Sequence, residues 1–102
     1  MADSALTEST YYILLSLYRP LHGYGIMQRT AELSGGRVHL AAGTLYGALN
    51  AMVDRGWIAL LPGDGRKKEY QLTPRGLGVL EKELARLREL VASGDMVMKE
   101  EA

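Results

Sequence analysis

The last third of the chain carries a helix that a protein this small cannot cover by itself. Thr73-Pro74 supplies a capping hydroxyl followed by proline at the first helical position. Leu77, Leu80, Leu84, Leu87 and Val91 then recur at alternating steps of three and four, which is a heptad seam. Val79, Arg86 and Leu90 widen the face on one side, Gly94 interrupts it, and Met96-Val97-Met98 extends it. The whole chain has 102 residues, 47% of them hydrophobic, room for one domain with a modest core. Such a helix must lie partly on that core and partly against something else. A second copy of the chain is the simplest cover. The seam Leu77, Leu80, Leu84, Leu87 and Val91 is therefore expected at a homodimer interface, with Ile13, Leu14 and Leu17 of the first helix beside it. The plain alternative is that these leucines are ordinary core.

Upstream, apolar spacing and punctuation divide the chain cleanly. Leu6, Ile13, Leu14 and Leu17 predict a helix over about 6–18, stopped by Pro20. Ile26, Met27, Thr30 and Leu33 predict a second over 24–34, closed by Gly35-Gly36. Arg37-Val38-His39-Leu40 is a short extended link. Leu45, Leu49, Met52 and Val53 predict a third helix over 42–55, with Gly56 where a left-handed stop belongs. Residues 57–61 and 69–73 read as two strands around the turn-rich tip Pro62-Gly63-Asp64-Gly65-Arg66-Lys67-Lys68. The fold class is thus mainly α with a small β-hairpin. Residues 1–73 form a winged helix-turn-helix, and 74–102 a C-terminal dimerisation helix and tail. In that design the third helix enters the major groove of double-stranded DNA and the wing reaches phosphates or the minor groove.

Composition removes several other functions. There are no cysteines and only two histidines, His22 and His39, so no disulfide scaffold, thiol chemistry or rich metal site is expected. Glu81 and Glu83 are two residues apart on a helix and face different ways, so they make no catalytic carboxylate pair. With no cleft-forming architecture and no phosphate loop, no enzyme and no cofactor are expected. No apolar run is long enough to span a membrane, and Asp3 stands where a signal peptide carries bases, which reads as a cytoplasmic protein. Net charge is zero, but unevenly spread. Residues 19–75 hold eight bases against four acids, while the flanking segments are each net −2. A basic middle suits an anionic partner there.

Four segments resemble one family. His22-Gly23-Tyr24-Gly25-Ile26 is similar to the "HGYeI" motif that opens the second helix of PadR-like transcriptional regulators, and Gly43-Thr44-Leu45-Tyr46-Gly47-Ala48-Leu49 to their "GTLYpaL". Arg55-Gly56-Trp57-Ile58 resembles "eGlI". The run Gly65 to Thr73, with Gly76, resembles "gRprkyYrLTeeG". The motifs fall in order across roughly residues 6–92, and the length matches the short subgroup with one helix after the wing. The resemblance implies a homodimeric repressor that binds operator DNA, relieved by a small-molecule effector or another signal, with the effector's pocket at the dimer interface.

The DNA-binding residues expected on this reading are Tyr24, Ala42, Gly43, Thr44, Tyr46, Gly47, Asn50, Arg66, Lys67 and Lys68. Two departures bear on them. Ala41 stands where the family has a polar residue, and alanine is a poor helix cap, costing ~1 kcal/mol. Asn50-Ala51 replaces lysine or arginine, so the outward face of the third helix is small and nearly uncharged, with Asn50 as its one evident base reader. Some specificity then has to come from DNA shape. Each residue also has a plainer reading. Arg66-Lys67-Lys68 can be a solvated hairpin tip. Tyr46 can be a packed ring with a surface hydroxyl. His22 reads as a cap or packing residue, His39 as a surface residue, and Trp57 as the hairpin's anchor to the core. The competing function is a winged-helix protein-interaction module that does not bind DNA, favoured by neutral charge and the bland third helix.

Overall fold

The computed structural model describes residues 5–62 and 68–102. The elements run α1 (Glu8–Ser16), β1 (Leu21–His22), α2 (Gly23–Leu33), α3 (Ala42–Asp54), β2 (Ile58–Leu60), β3 (Glu69–Leu72) and α4 (Pro74–Glu100). This is the expected order with one addition. The two-residue strand β1 pairs with β3, so the hairpin becomes a three-stranded antiparallel sheet in the order β1-β3-β2. Tyr70 is its centre, opposite Leu21 on one side and Leu60 on the other.

Each boundary has a local cause. Thr7 caps α1 by accepting from Thr10 N–H, and His22 Nδ1 accepts from Gly25 N–H at 3.3 Å to cap α2. His22 is thus the cap the sequence implies. Thr73 Oγ1 accepts from Gly76 N–H at 3.0 Å to open α4 ahead of Pro74. At the end of α3 Gly56 adopts φ +77°, and the Trp57 N–H then turns back to the Met52 carbonyl at 3.0 Å. Among the described residues the link 37–40 pairs with no strand; Val38 is buried within it, and His39 is exposed.

Ile13, Leu14, Leu17, Ile26, Leu45, Leu49 and Ile58 are wholly enclosed, and Met52, Tyr70 and Leu80 complete the core. This corrects part of the interface reading. Ile13, Leu14 and Leu17 are completely buried within their own chain, and Leu80 is 4% exposed. Such side chains have no surface left to give a partner. They rank as interface residues by sequence because a buried leucine and an interfacial one carry the same periodicity. The rest of the seam differs: Leu77, Leu84 and Leu87 are half-buried and Val91 is 62% exposed.

Helix α4 has 27 residues, about 40 Å at 1.5 Å per residue, and runs through Gly94 without a break. From residue 88 onward every position is exposed. None of the helices is long and apolar enough to cross a membrane among the described residues.

Candidate nucleic-acid interface

Helix α3 divides into two faces. Leu45, Leu49 and Met52 point into the core. Gly43, Gly47 and Asn50 lie on the opposite face with Asp54, all exposed. A Cβ at Gly43 or Gly47 would meet nothing within 4 Å, so these glycines serve no packing need of this chain. They hold open a smooth strip along which another surface can approach the helix backbone. Ala42 and Thr44 are also exposed.

The helix begins without a cap. Ala41 makes no side-chain hydrogen bond, and the first helical bond runs from Leu45 N–H to Ala41 C=O at 2.9 Å. The amides of Ala42, Gly43 and Thr44 precede it and gain no partner from this cap. Unpaired N–H groups at a helix start, with the positive end of its dipole, attract an anion. The missing cap, a defect for stability, therefore leaves these donors without a cap partner among the described residues, on a helix that has no basic side chain between residues 42 and 54.

Tyr46 ties this helix to α2. Its phenol lies against Gly23, where a Cβ would collide with Oη and sit 2.7 Å from Cζ. Two of the sequence motifs are thus one physical contact: only glycine at 23 admits the ring from 46. The hydroxyl end is the part that meets the chain's own backbone, while the side chain as a whole is 45% exposed. Burial, and then the neighbouring Tyr46 phenol, push the Tyr70 hydroxyl above the usual tyrosine range. Tyr24 stands next to Gly23, is 63% exposed, and accepts a hydrogen bond from Gln28 Nε2 at 3.2 Å.

Of the wing triad, Lys68 is exposed at the start of β3, and Arg66 and Lys67 lie outside the described residues. Trp57 packs against the core at the base of the wing, as expected of an anchor. The structure adds a feature the sequence reading did not single out. Arg55 Cζ lies 5.0 Å from the centre of the Trp57 ring, a cation–π contact made possible by the turn at Gly56 between them. Glu83 is a second. It is 6% exposed and receives Arg86 Nε and Nη2 at 2.9 and 2.7 Å. Those bonds hold its carboxyl below the ordinary range; the Leu6 backbone amide adds a smaller pull in the same direction, and burial opposes both. An i, i+3 Glu–Arg pair was the available signal.

The model of the transcriptional regulator PadR-like family matches residues 13–82, more than two thirds of the chain. The chain belongs to this family. Over 64 residues it is 41% identical to an uncharacterized 37.1 kDa protein in transposon TN4556 of Streptomyces fradiae, a match that takes in 63% of this chain but only 18% of that protein. Among solved structures, a PadR family transcription regulator from Clostridium difficile is similar with a TM-score of 0.76 at 21% identity, over 90% of this chain and 99% of that one. A PadR-like transcription factor from Bacteroides fragilis gives 0.72 at 25% identity, over 86% and 87%. Bordetella bronchiseptica BpsR, whose DNA binding is regulated by 6-hydroxynicotinic acid, gives 0.69 at 22%, over 89% and 62%. The PadR-like assignment agrees with the winged-helix architecture and makes this a transcription-regulator fold.

Proposed function

We propose that this PadR-like protein is a homodimeric repressor that binds operator DNA through α3 and the wing, and that an effector relieves the binding. The observation that carries the reading is the open strip of α3. A helix face built from Gly43, Gly47 and Asn50, with uncapped amides at its start, is of no use to the chain's own core. It suits close backbone approach to a groove and an N-terminal contact with a phosphate. Asn50 is placed to read a base edge, and Arg66, Lys67 and Lys68 supply the charge that α3 lacks.

The dimer reading rests on α4. Leu90, Val91, Met96, Val97 and Met98 are each more than half exposed. Leu84, Leu87 and Val91 also line a shallow groove with Ala92. An apolar stripe of this extent on a small protein marks an interaction surface. A second copy offers the same stripe in return, as two-fold association requires. Paired subunits would set two α3 helices against two half-sites. Effector control is proposed by likeness to BpsR, whose DNA binding responds to a small aromatic acid.

One observation favours the interaction-module reading instead: α3 carries no base and ends in Asp54, and net charge is zero. A gel-shift titration on the promoter fragment upstream of the protein's own gene, repeated across salt concentrations, separates the two. Operator binding predicts a shift that competitor DNA of random sequence does not abolish and that weakens steeply with salt. Absence of any shift at micromolar protein would put the interaction module first.

A further inference from the structure

The start of α2 is held from two sides. His22 Nδ1 accepts from Gly25 N–H at 3.3 Å, and His22 itself belongs to β1, paired with Glu69 of β3. Gly23 lies under the Tyr46 phenol of α3. Gly23, Ile26 and Thr30 form the buried face of the helix. Tyr24 leaves from this fixed stretch on the outer side and is 63% exposed. With its backbone held, the direction of its hydroxyl is decided by the side chain alone.

Gln28 sets that direction. It stands one helical turn on, exposed on the same face, and its Nε2 donates to Tyr24 Oη at 3.2 Å. An amide nitrogen only donates, whereas a phenol accepts and also donates its single proton. The Tyr24 proton therefore cannot lie on this bond. It points away from Gln28, and the hydroxyl meets an incoming molecule as a donor. The charge on α2 gives this weight. Its only charged residues, Arg29 and Glu32, pair with each other at 3.3 Å. What the helix offers an anion is thus the neutral Tyr24 donor. A phosphate oxygen only accepts, and its bond to a hydroxyl held in this sense is charge-assisted. Position 28 lies beyond the motif that ends at Ile26, so the orienting group is a property of this chain.

We propose that Gln28 is a positioning residue for DNA binding: by donating to Tyr24 Oη it turns the tyrosine proton outward, onto a backbone phosphate. This rests on the proposed operator binding and adds to it a neutral phosphate contact on the helix that precedes α3. Gln28 acts through Tyr24 and touches no DNA itself. A contact of this kind carries no base information. It also releases no counterion, so it strengthens binding without steepening the salt dependence, unlike the bases of the wing.

A double-mutant cycle on the full chain tests it: wild type, Tyr24→Phe, Gln28→Met and both together. Each is titrated by fluorescence anisotropy with the promoter fragment and with a random-sequence duplex of equal length. Methionine keeps the length and helix propensity of glutamine and removes the donor. Tyr24→Phe should weaken binding to both duplexes by about tenfold per subunit, the size of a lost hydrogen bond to a charged group. Gln28→Met should cost about two- to threefold per subunit, because the outward setting of the proton is then only partly populated. Added to Tyr24→Phe it should cost nothing more, and all four salt slopes should agree. Gln28→Glu is the second variant. Its carboxylate only accepts, so it takes the tyrosine proton and turns a lone pair outward. It should therefore weaken binding more in the wild-type background than beside Tyr24→Phe, where only its charge acts. A Gln28→Met affinity equal to wild type, a penalty undiminished beside Tyr24→Phe, or a loss confined to the promoter fragment would each overturn the proposal. Wild-type binding with no coupling between positions 24 and 28 sinks this contact alone, whereas a wild-type protein that binds neither duplex sinks the operator reading and the contact with it.

Discussion

Gly23→Ala should expose how tightly the second and third helices are locked. The backbone at Gly23 does not have the positive φ that excludes alanine, so the substitution acts through contact. The new methyl would collide with Tyr46 Oη and lie 2.7 Å from Cζ. Tyr46 is 45% exposed, so its ring can swing outward, which limits the cost to the packing of its buried half. Full burial of a large side chain contributes about 1.5–3 kcal/mol, so half is about 0.75–1.5 kcal/mol. Alanine's better helix propensity returns a few tenths of a kcal/mol at this first-turn position. The net loss is about 1 kcal/mol, or roughly 4–8 °C in melting temperature for a domain of this size. Four proteins measured at one concentration test it: wild type, Gly23→Ala, Tyr46→Ala and the double variant. With Tyr46 removed, the collision is gone and the substitution should be neutral or mildly stabilising. An equal penalty in both backgrounds would refute the contact as the reason for glycine at 23. If α3 binds DNA as proposed, the displaced ring crowds that face, so operator affinity should fall in Gly23→Ala more than stability alone explains.

Three further outcomes follow from other parts of the molecule. Alanine at Arg66, Lys67 and Lys68 should leave the melting temperature unchanged, lower affinity similarly for all DNA sequences, and flatten the salt slope by roughly one unit per lost phosphate contact; an unchanged slope makes the triad a solvated tip. Val91→Asp should yield a folded monomer in sedimentation, because Val91 is 62% exposed in one chain and burying an unpaired carboxylate across an interface is strongly unfavourable; a dimer of wild-type strength would remove α4 from the interface. Glu83 has its carboxyl held below the ordinary range, chiefly by Arg86, so its contribution to stability is present above that range and is lost as pH falls through the depressed value. Glu83→Gln should therefore be less stable than wild type at neutral pH and converge with it in acid, as read from urea melts across pH; a gap independent of pH would assign the loss to packing.

What could be read from the sequence depended on which signals repeat. The four helices announce themselves through apolar spacing and caps, and Gly56 and Thr73-Pro74 fix their ends, so the winged-helix order is legible in the sequence. Strand β1 was not: two residues after Pro20 have no periodicity, and only the pairing with Glu69 and Tyr70 makes Leu21 and His22 a strand. Burial within the seam was not legible either. Leu80 and Leu84 share one heptad pattern, yet one is core and the other half-exposed, a difference set by how far the core reaches along α4. The candidate DNA face was visible as residues and not as contacts. Nothing in the spacing of Gly23 and Tyr46, 23 positions apart, says that one is small because the other is large. The contact of Arg55 with Trp57 needed the turn at Gly56 to bring it together.

The claim that α3 lies in a DNA groove is tested most directly at Gly47. A Cβ there meets nothing within 4 Å, so a side chain at 47 leaves the helix clear of the chain's own atoms, and Gly47→Leu adds up to ~1 kcal/mol of helix propensity. The same side chain stands on the strip that must approach DNA most closely. Measured side by side, the melting temperature should rise by a few degrees while affinity falls for operator and random DNA alike. A Gly47→Leu protein that is more stable and binds its operator as tightly as wild type would contradict the account, because no helix can sit in the groove on that face and ignore a leucine there.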